Sequence, residues 1–113
     1  MPTKECLFCE IIEGKIPCTK IFENEKIFAF NDIKPVAKKH VLIIPKKHME
    51  NAGDRKHIKI LGELMLSTNI IAKKLDIFNS GYRIINNQGK DSGQIVDHIH
   101  LHLIGGEPLK EIN

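Results

Sequence analysis

The segment His98-Ile99-His100-Leu101-His102-Leu103-Ile104 constrains this chain more than any other. Three histidines alternate with apolar residues, and a two-residue side-chain period belongs to the β-strand. A strand over Ile95 to Ile104 sets His98, His100 and His102 on one face and sends Ile99, Leu101 and Leu103 into a core on the other. Imidazoles gain little from β-propensity or packing, so a strictly alternating triplet points to chemistry. Alternate strand residues lie ~6.6–6.8 Å apart, which separates the outer two histidines by about 13 Å. Zinc–nitrogen bonds of ~2.0–2.1 Å make convergence of all three on one ion hard, although two neighbours can share one. The row better suits an extended anionic group such as a phosphate, with one imidazole attacking and a neighbour donating. An ordinary imidazole pKa of about 6.5 keeps both protonation states accessible near neutrality.

The other 106 residues set the frame. A chain of 113 residues is expected to form a single domain over 1–113, with one core that needs no disulfide staples. Aromatic residues make up 5% with no Trp, and the net charge is only +3, which argues against a base-stacking nucleic-acid binder or a polyanion partner. Three cysteines, an odd number, argue against a secreted disulfide framework. Met1 to Cys6 carries no apolar signal-like stretch, and no apolar run reaches membrane-spanning length. The expectation is a soluble, cytoplasmic protein with no membrane or specific nucleic-acid partner.

Periodicity predicts a short helix over Cys6 to Glu13, with Leu7, Phe8, Ile11 and Ile12 on one face and Gly14 as its stop. Strands follow at Thr19–Phe22 and Lys26–Phe30, around the polar break Asn24-Glu25, and at Val41–Ile44, closed by Pro45. After Asn51-Ala52-Gly53, Asp54 is the expected N-cap of a long helix whose apolar positions are Ile58, Leu61, Met65, Ile71, Ala72 and Leu75. Gly81 restarts a strand, Tyr82 to Asn86, before the final one. The order predicts an α+β fold with a mainly antiparallel sheet of about five strands, one long helix and one short. The loop from Asn87 to Gln94 precedes the histidines; Gly89 and Gly93 let backbone amides approach an anion, and Asn87 can donate from its side chain.

Cys6-x-x-Cys9 has three readings: zinc ligands, a redox pair, or two core thiols on a helix. The redox reading is weakest, because five preceding residues leave no room for the strand of a thioredoxin-like unit. Cys18 reads as structural or incidental, and the pairs Lys38-Lys39 and Lys46-Lys47 as solvated faces, with phosphate steering the alternative.

The run from Gly93 through Asp97-His98-Ile99-His100-Leu101-His102 to Gly106 resembles the signature of the histidine triad (HIT) superfamily, in its Hint-like branch. Cys6-x-x-Cys9, Asn31-Asp32-Ile33, the run from His40 to His48, and Asn86-Asn87 match in order, so the likeness spans nearly the whole chain. The resemblance implies a HIT fold that dimerises into a continuous sheet and acts at the α-phosphate of purine nucleoside monophosphate conjugates (AMP or GMP type), phosphoramidates among them. It makes His100 the nucleophile that carries a transient nucleotidyl group, His102 the phosphate contact that helps the leaving group depart, and His98 the support of the row. It assigns Asp32 to the ribose hydroxyls, and Leu7, Phe8, Ile11, Phe30 and Ile33 to apolar walls around base and sugar. Asn87 with the backbone of Gly93 and Ile95 forms the phosphate cradle, with His40 and Gln94 in support. In some relatives the two cysteines join two histidines, which here implies a structural zinc site of Cys6, Cys9, His48 and His98; the chemistry itself then needs no cofactor. His102 stands where the uridylyltransferase branch resembles Gln, which favours a hydrolase. Ile95 stands where Hint enzymes carry Ser, implying lower phosphoramidase turnover, and the tail after Gly106 lacks the Trp of some relatives. A weakly or non-catalytic nucleotide-binding module and a pure metal-binding protein are the alternatives.

Overall fold

Apolar side chains fall on both faces of the central strands, and a sheet with two apolar faces has to be covered twice. The computed structural model, which describes residues 6–51 and 53–112, shows how. The elements in chain order are α1 (Leu7–Ile12), β1 (Lys20–Glu23), β2 (Ile27–Asn31), β3 (Lys39–Pro45), α2 (Ile58–Lys74), β4 (Tyr82–Ile85) and β5 (Leu101–Gly105), with short 3₁₀ turns at Arg55–His57 and Lys90–Ser92. The five strands form one antiparallel sheet in the order β1-β2-β3-β5-β4. Ile27, Ala29, Val41, Ile43, Leu101 and Leu103 face α2, where they pack with Leu64 and Ile71. Phe28, Phe30, Leu42 and Ile44 face the other way and meet Cys6, Phe8 and Ile11 of the α1 segment. This is the α+β arrangement expected, with one long helix and one short. The readings that fall on residues 1–5, Ala52 and Asn113 lie outside the described residues.

Three local expectations are revised. The last strand does not run from Ile95: its ladder begins at Leu101, opposite Ile43. Pro45 has no N–H to extend the pairing, its carbonyl accepts from the His98 ring at 2.9 Å, and β4 ends at Ile85, opposite His102. Residues 98–100 nevertheless keep the alternation, because Ile99 still enters the α2-side core while His98 and His100 contact Phe8 on the other side. Asp54 caps the 3₁₀ turn ahead of α2, accepting from the Lys56 N–H at 3.1 Å. Along α2 the period is right but the buried face is shifted. Leu64, Ser67, Thr68, Ile71 and Ala72 are buried, whereas Ile58 and Met65 are exposed. Ser67 and Thr68 serve as core residues because their hydroxyls donate back to the carbonyls of Leu64 and Met65, at 2.7 and 2.6 Å.

Candidate active site

The three histidines differ only in what holds them. His98 is fully buried; its Nε2–H donates to the Pro45 carbonyl, which turns Nδ1 toward Cys6 Sγ at 3.3 Å and Cys9 Sγ at 3.6 Å. His100 donates Nδ1–H to the His98 carbonyl at 2.8 Å, and its ring lies edge-on to Phe8 with centroids 5.0 Å apart. That bond settles the tautomer and leaves the lone pair on Nε2. His102 reaches His40, Nδ1 to Nε2, at 2.9 Å. The Val36 N–H donates to His40 Nδ1 at 3.2 Å, so a neutral His40 carries its proton on Nε2, shared between His102 Nδ1 and Asp32 Oδ2, 3.3 Å away. His102 in turn carries its proton on Nε2. Burial holds both rings neutral: it lowers His40 against the pull of Asp32, and it pushes His102 down to about 4, with His100 and His40 adding to the effect.

The triad therefore does not converge on one ion. His98 joins Cys6, Cys9 and His48, whose ligand atoms all lie within 4.8 Å of one another; His102 groups instead with Asp32 and His40, and His100 with neither cluster. Cys9 Sγ lies 3.3 Å from His48 Nδ1, and His48 Nε2 faces the Glu50 carboxylate at 3.3 Å. Both imidazoles thus turn Nδ1 inward and hold the outer N–H on an oxygen, the support that metal-ligating histidines have. Tetrahedral zinc with its usual bond lengths sets sulfur and nitrogen ligands about 3.5 Å apart. The observed spacings of 3.3 to 3.6 Å fit that donor set.

A cavity of about 400 Å³ lies beside the other two histidines. The expected binding residues Leu7, Phe8, Ile11, Phe30, Asp32, Ile33, Asn87, Gly93 and Ile95 all line it, as do Gln94, His100 and His102. His40 sits behind this surface and reaches it through Asp32 and His102. The Asp32 carboxylate accepts from the Lys34 N–H at 2.8 Å through Oδ1 and faces His40 through Oδ2. A carboxylate has about four lone-pair sites, so acceptor capacity remains on both oxygens. The Gly93 N–H is donated to the Lys90 carbonyl at 3.0 Å, so Gly93 shapes the loop through its φ of +90°. Gln94 braces the same loop, accepting from the Gly89 N–H at 2.7 Å and donating to the Val96 carbonyl at 3.1 Å. Sequence reasoning missed Ile16, Pro17, Cys18, Lys34, Leu42 and Val96 as lining residues. The first three come from the α1–β1 connection, which has no period to read; Leu42 was legible, since it alternates with Val41 and Ile43.

The HIT domain family model matches residues 13–109. A "14 kDa zinc-binding protein" of Zea mays is 41% identical over 107 residues, which cover 91% of this chain and 83% of that protein. The adenosine 5′-monophosphoramidase HNT1 of Candida albicans is 42% identical over 106 residues, covering 88% of this chain and 68% of that protein. A histidine triad protein from Clostridium difficile has the same fold, with a TM-score of 0.94 at 39% identity over 100% of both chains.

Proposed function

This chain belongs to the HIT family, and we propose that it is a nucleotide hydrolase of the Hint-like branch that cleaves purine nucleoside 5′-phosphoramidates or related nucleotidyl conjugates through His100. One observation carries the reading. A single cavity gathers a carboxylate, apolar walls, and two histidines held in complementary tautomers, one with a lone pair on Nε2 and one with a proton there. The similarity to an adenosine 5′-monophosphoramidase supports it.

The base and sugar lie against Leu7, Phe8, Ile11, Phe30 and Ile33, and the ribose hydroxyls donate to Asp32. His100 Nε2 attacks phosphorus, the new N–P bond forms, and the P–N bond to the amine breaks. Attack builds positive charge on the imidazole, and the His98 carbonyl at Nδ1–H stabilises it. His102 donates from Nε2 to a phosphate oxygen, and Asn87 can donate from its side chain. The bound phosphate's negative charge opposes burial at His102 and favours the protonated ring, which passes its proton to the departing amine. Water then attacks phosphorus and loses a proton to His102, which releases the nucleoside monophosphate and restores His100. Cys6, Cys9, His48 and His98 would hold a structural zinc ion that fixes the His98 ring and, through its backbone carbonyl, the strand approach to His100. The protein would act as a homodimer.

Hydrolysis of adenosine and guanosine 5′-phosphoramidates, compared in the wild type and in His100→Ala, tests the reading. The expected result is turnover in the wild type and a loss of at least about 10³-fold in kcat/KM in the variant, with AMP binding retained. Wild-type turnover in His100→Ala, or an AMP site that leaves the cavity empty, would contradict it.

A further inference from the structure

The net charge of +3 hides a local excess. A cavity of about 520 Å³ opens between the end of the β2–β3 hairpin and the start of α2, and Lys26, Lys46, Lys47, Lys56, His57 and Lys59 line it. Among the described residues, Glu25 is the one acid on the same wall. Five lysines against one glutamate put more positive charge here than the whole chain carries. None of these residues lines the triad cavity, and the floor belongs to the other face of the sheet, where Met49 and Ile60 pack into the core under α2. We propose that this cavity binds a short linear oligophosphate. The site is independent of the hydrolase reading.

The lysines arrive from separate segments and are held at one wall. The Lys46 N–H donates to the Lys26 carbonyl at 2.8 Å, which keeps those two positions side by side. The Asp54 carboxylate accepts from the Lys56 N–H at 3.1 Å and shapes the turn into α2. Met49 is buried beneath, its carbonyl accepting from the Ile99 N–H at 2.6 Å. Three of the lysines meet carboxylates: Lys46 reaches Glu23 at 2.6 Å, Lys26 reaches Glu63 at 3.5 Å and Lys56 reaches Asp54 at 3.6 Å. The two longer pairs are exposed and contribute little, so both ammonium groups are free to turn toward an anion. Lys47 and Lys59 are exposed and form no ion pair among the described residues, and α2 has no acidic residue in its first turn to neutralise them. An anion relieves the repulsion among these crowded like charges. Its kind follows from what the wall lacks. No arginine lines it, so the carboxylates of an acidic peptide find no planar fork. No aromatic ring lines it, so a nucleobase has nothing to stack on. Lysine ammonium groups are point charges that suit phosphate oxygens. A terminal phosphate carries about 1.5 to 2 negative charges near neutrality, so about two or three linked phosphates match the excess and a single small anion does not.

The test titrates the full chain with tripolyphosphate, sulfate and a single-stranded oligonucleotide by calorimetry, with AMP present to occupy the triad cavity, and maps binding by amide chemical shifts. The expected result is one tripolyphosphate per chain, shifts centred on residues 25–26, 46–47 and 56–60, and an affinity that falls with added salt. Lys47→Glu with Lys59→Glu weakens binding by at least about tenfold. Lys38→Glu with Lys110→Glu, which takes the same charge from elsewhere, stays within about threefold. All four lysines are exposed, so these substitutions leave the fold intact. Tighter binding of ATP than of tripolyphosphate assigns the cavity to a nucleotide's phosphate tail, and weaker binding assigns it to a free chain. No binding, sulfate binding as tightly, shifts confined to the triad cavity, equal losses in the two double variants, or a tighter oligonucleotide complex would overturn the proposal.

Discussion

At the scale of single residues, three identical imidazoles receive three tasks from the atoms beside them. A carbonyl at Nε2 turns His98 toward the thiols, a carbonyl at Nδ1 frees Nε2 of His100, and His40 at Nδ1 keeps a proton on Nε2 of His102. The environment of His102 has a measurable consequence. Its pKa is about 4 in the folded chain, against about 6.5 for an unfolded imidazole. Between those values the unfolded state binds more protons, so stability rises with pH there. The contribution is complete above about pH 6.5 and is lost as pH falls toward 4, an effect on the order of 2 kcal/mol once solvent screening at this half-open ring is allowed for. Urea unfolding of the wild type and His102→Asn at pH 7.5 and 4.5 reads it: the variant loses less stability on acidification. Equal losses would contradict the assignment. The family resemblance carried the order of the tasks, whereas alternation and spacing alone did not, because the order depends on the Val36 N–H and the Pro45 carbonyl, and neither has a side-chain signature.

Elements show where pattern reading works and where it stops. Strand alternation placed Ile99, Leu101 and Leu103 in the core correctly, yet the ladder ends at Leu101 because Pro45 cannot donate and β4 is short. Along α2, apolar residues on more than one side led the periodicity to a face that includes the exposed Ile58 and Met65, and hydroxyls bonded to helix carbonyls took core positions. The six-residue α1 is below the length at which a helix is stable alone. Cys6 Sγ accepts from the Cys9 N–H at its start, and both thiols reach histidines far away in sequence. If zinc closes that site, metal analysis of tag-free protein finds about one zinc per chain. Chelation or Cys9→Ser then speeds hydrogen exchange over residues 7–12 and lowers the melting temperature. Metal-free protein with unchanged exchange and melting would remove zinc from the account.

For the molecule as a whole, the sheet is a partition: α2 covers one face, and the other carries α1, the triad side chains and the cavity. Among the described residues, no helix is long and apolar enough to cross a membrane. Ile58, Met65, Leu66 and Ile70 stand exposed on α2, and among the described residues β4 is an edge strand of the sheet. A second copy laid across these would cover the apolar residues and continue the sheet. Sedimentation velocity at tens of micromolar is expected to show a dimer that Leu66→Glu dissociates; a wild-type monomer at that concentration would exclude the arrangement. The catalytic claim stands on one atom, His100 Nε2. Rapid acid-free quenching of wild-type protein during turnover of an adenosine phosphoramidate, followed by intact mass and peptide mapping, examines it directly. The account predicts a transient adduct of one adenylyl group on the His100 peptide, absent from His100→Ala. Turnover with no adduct, or an adduct on another histidine, would contradict it.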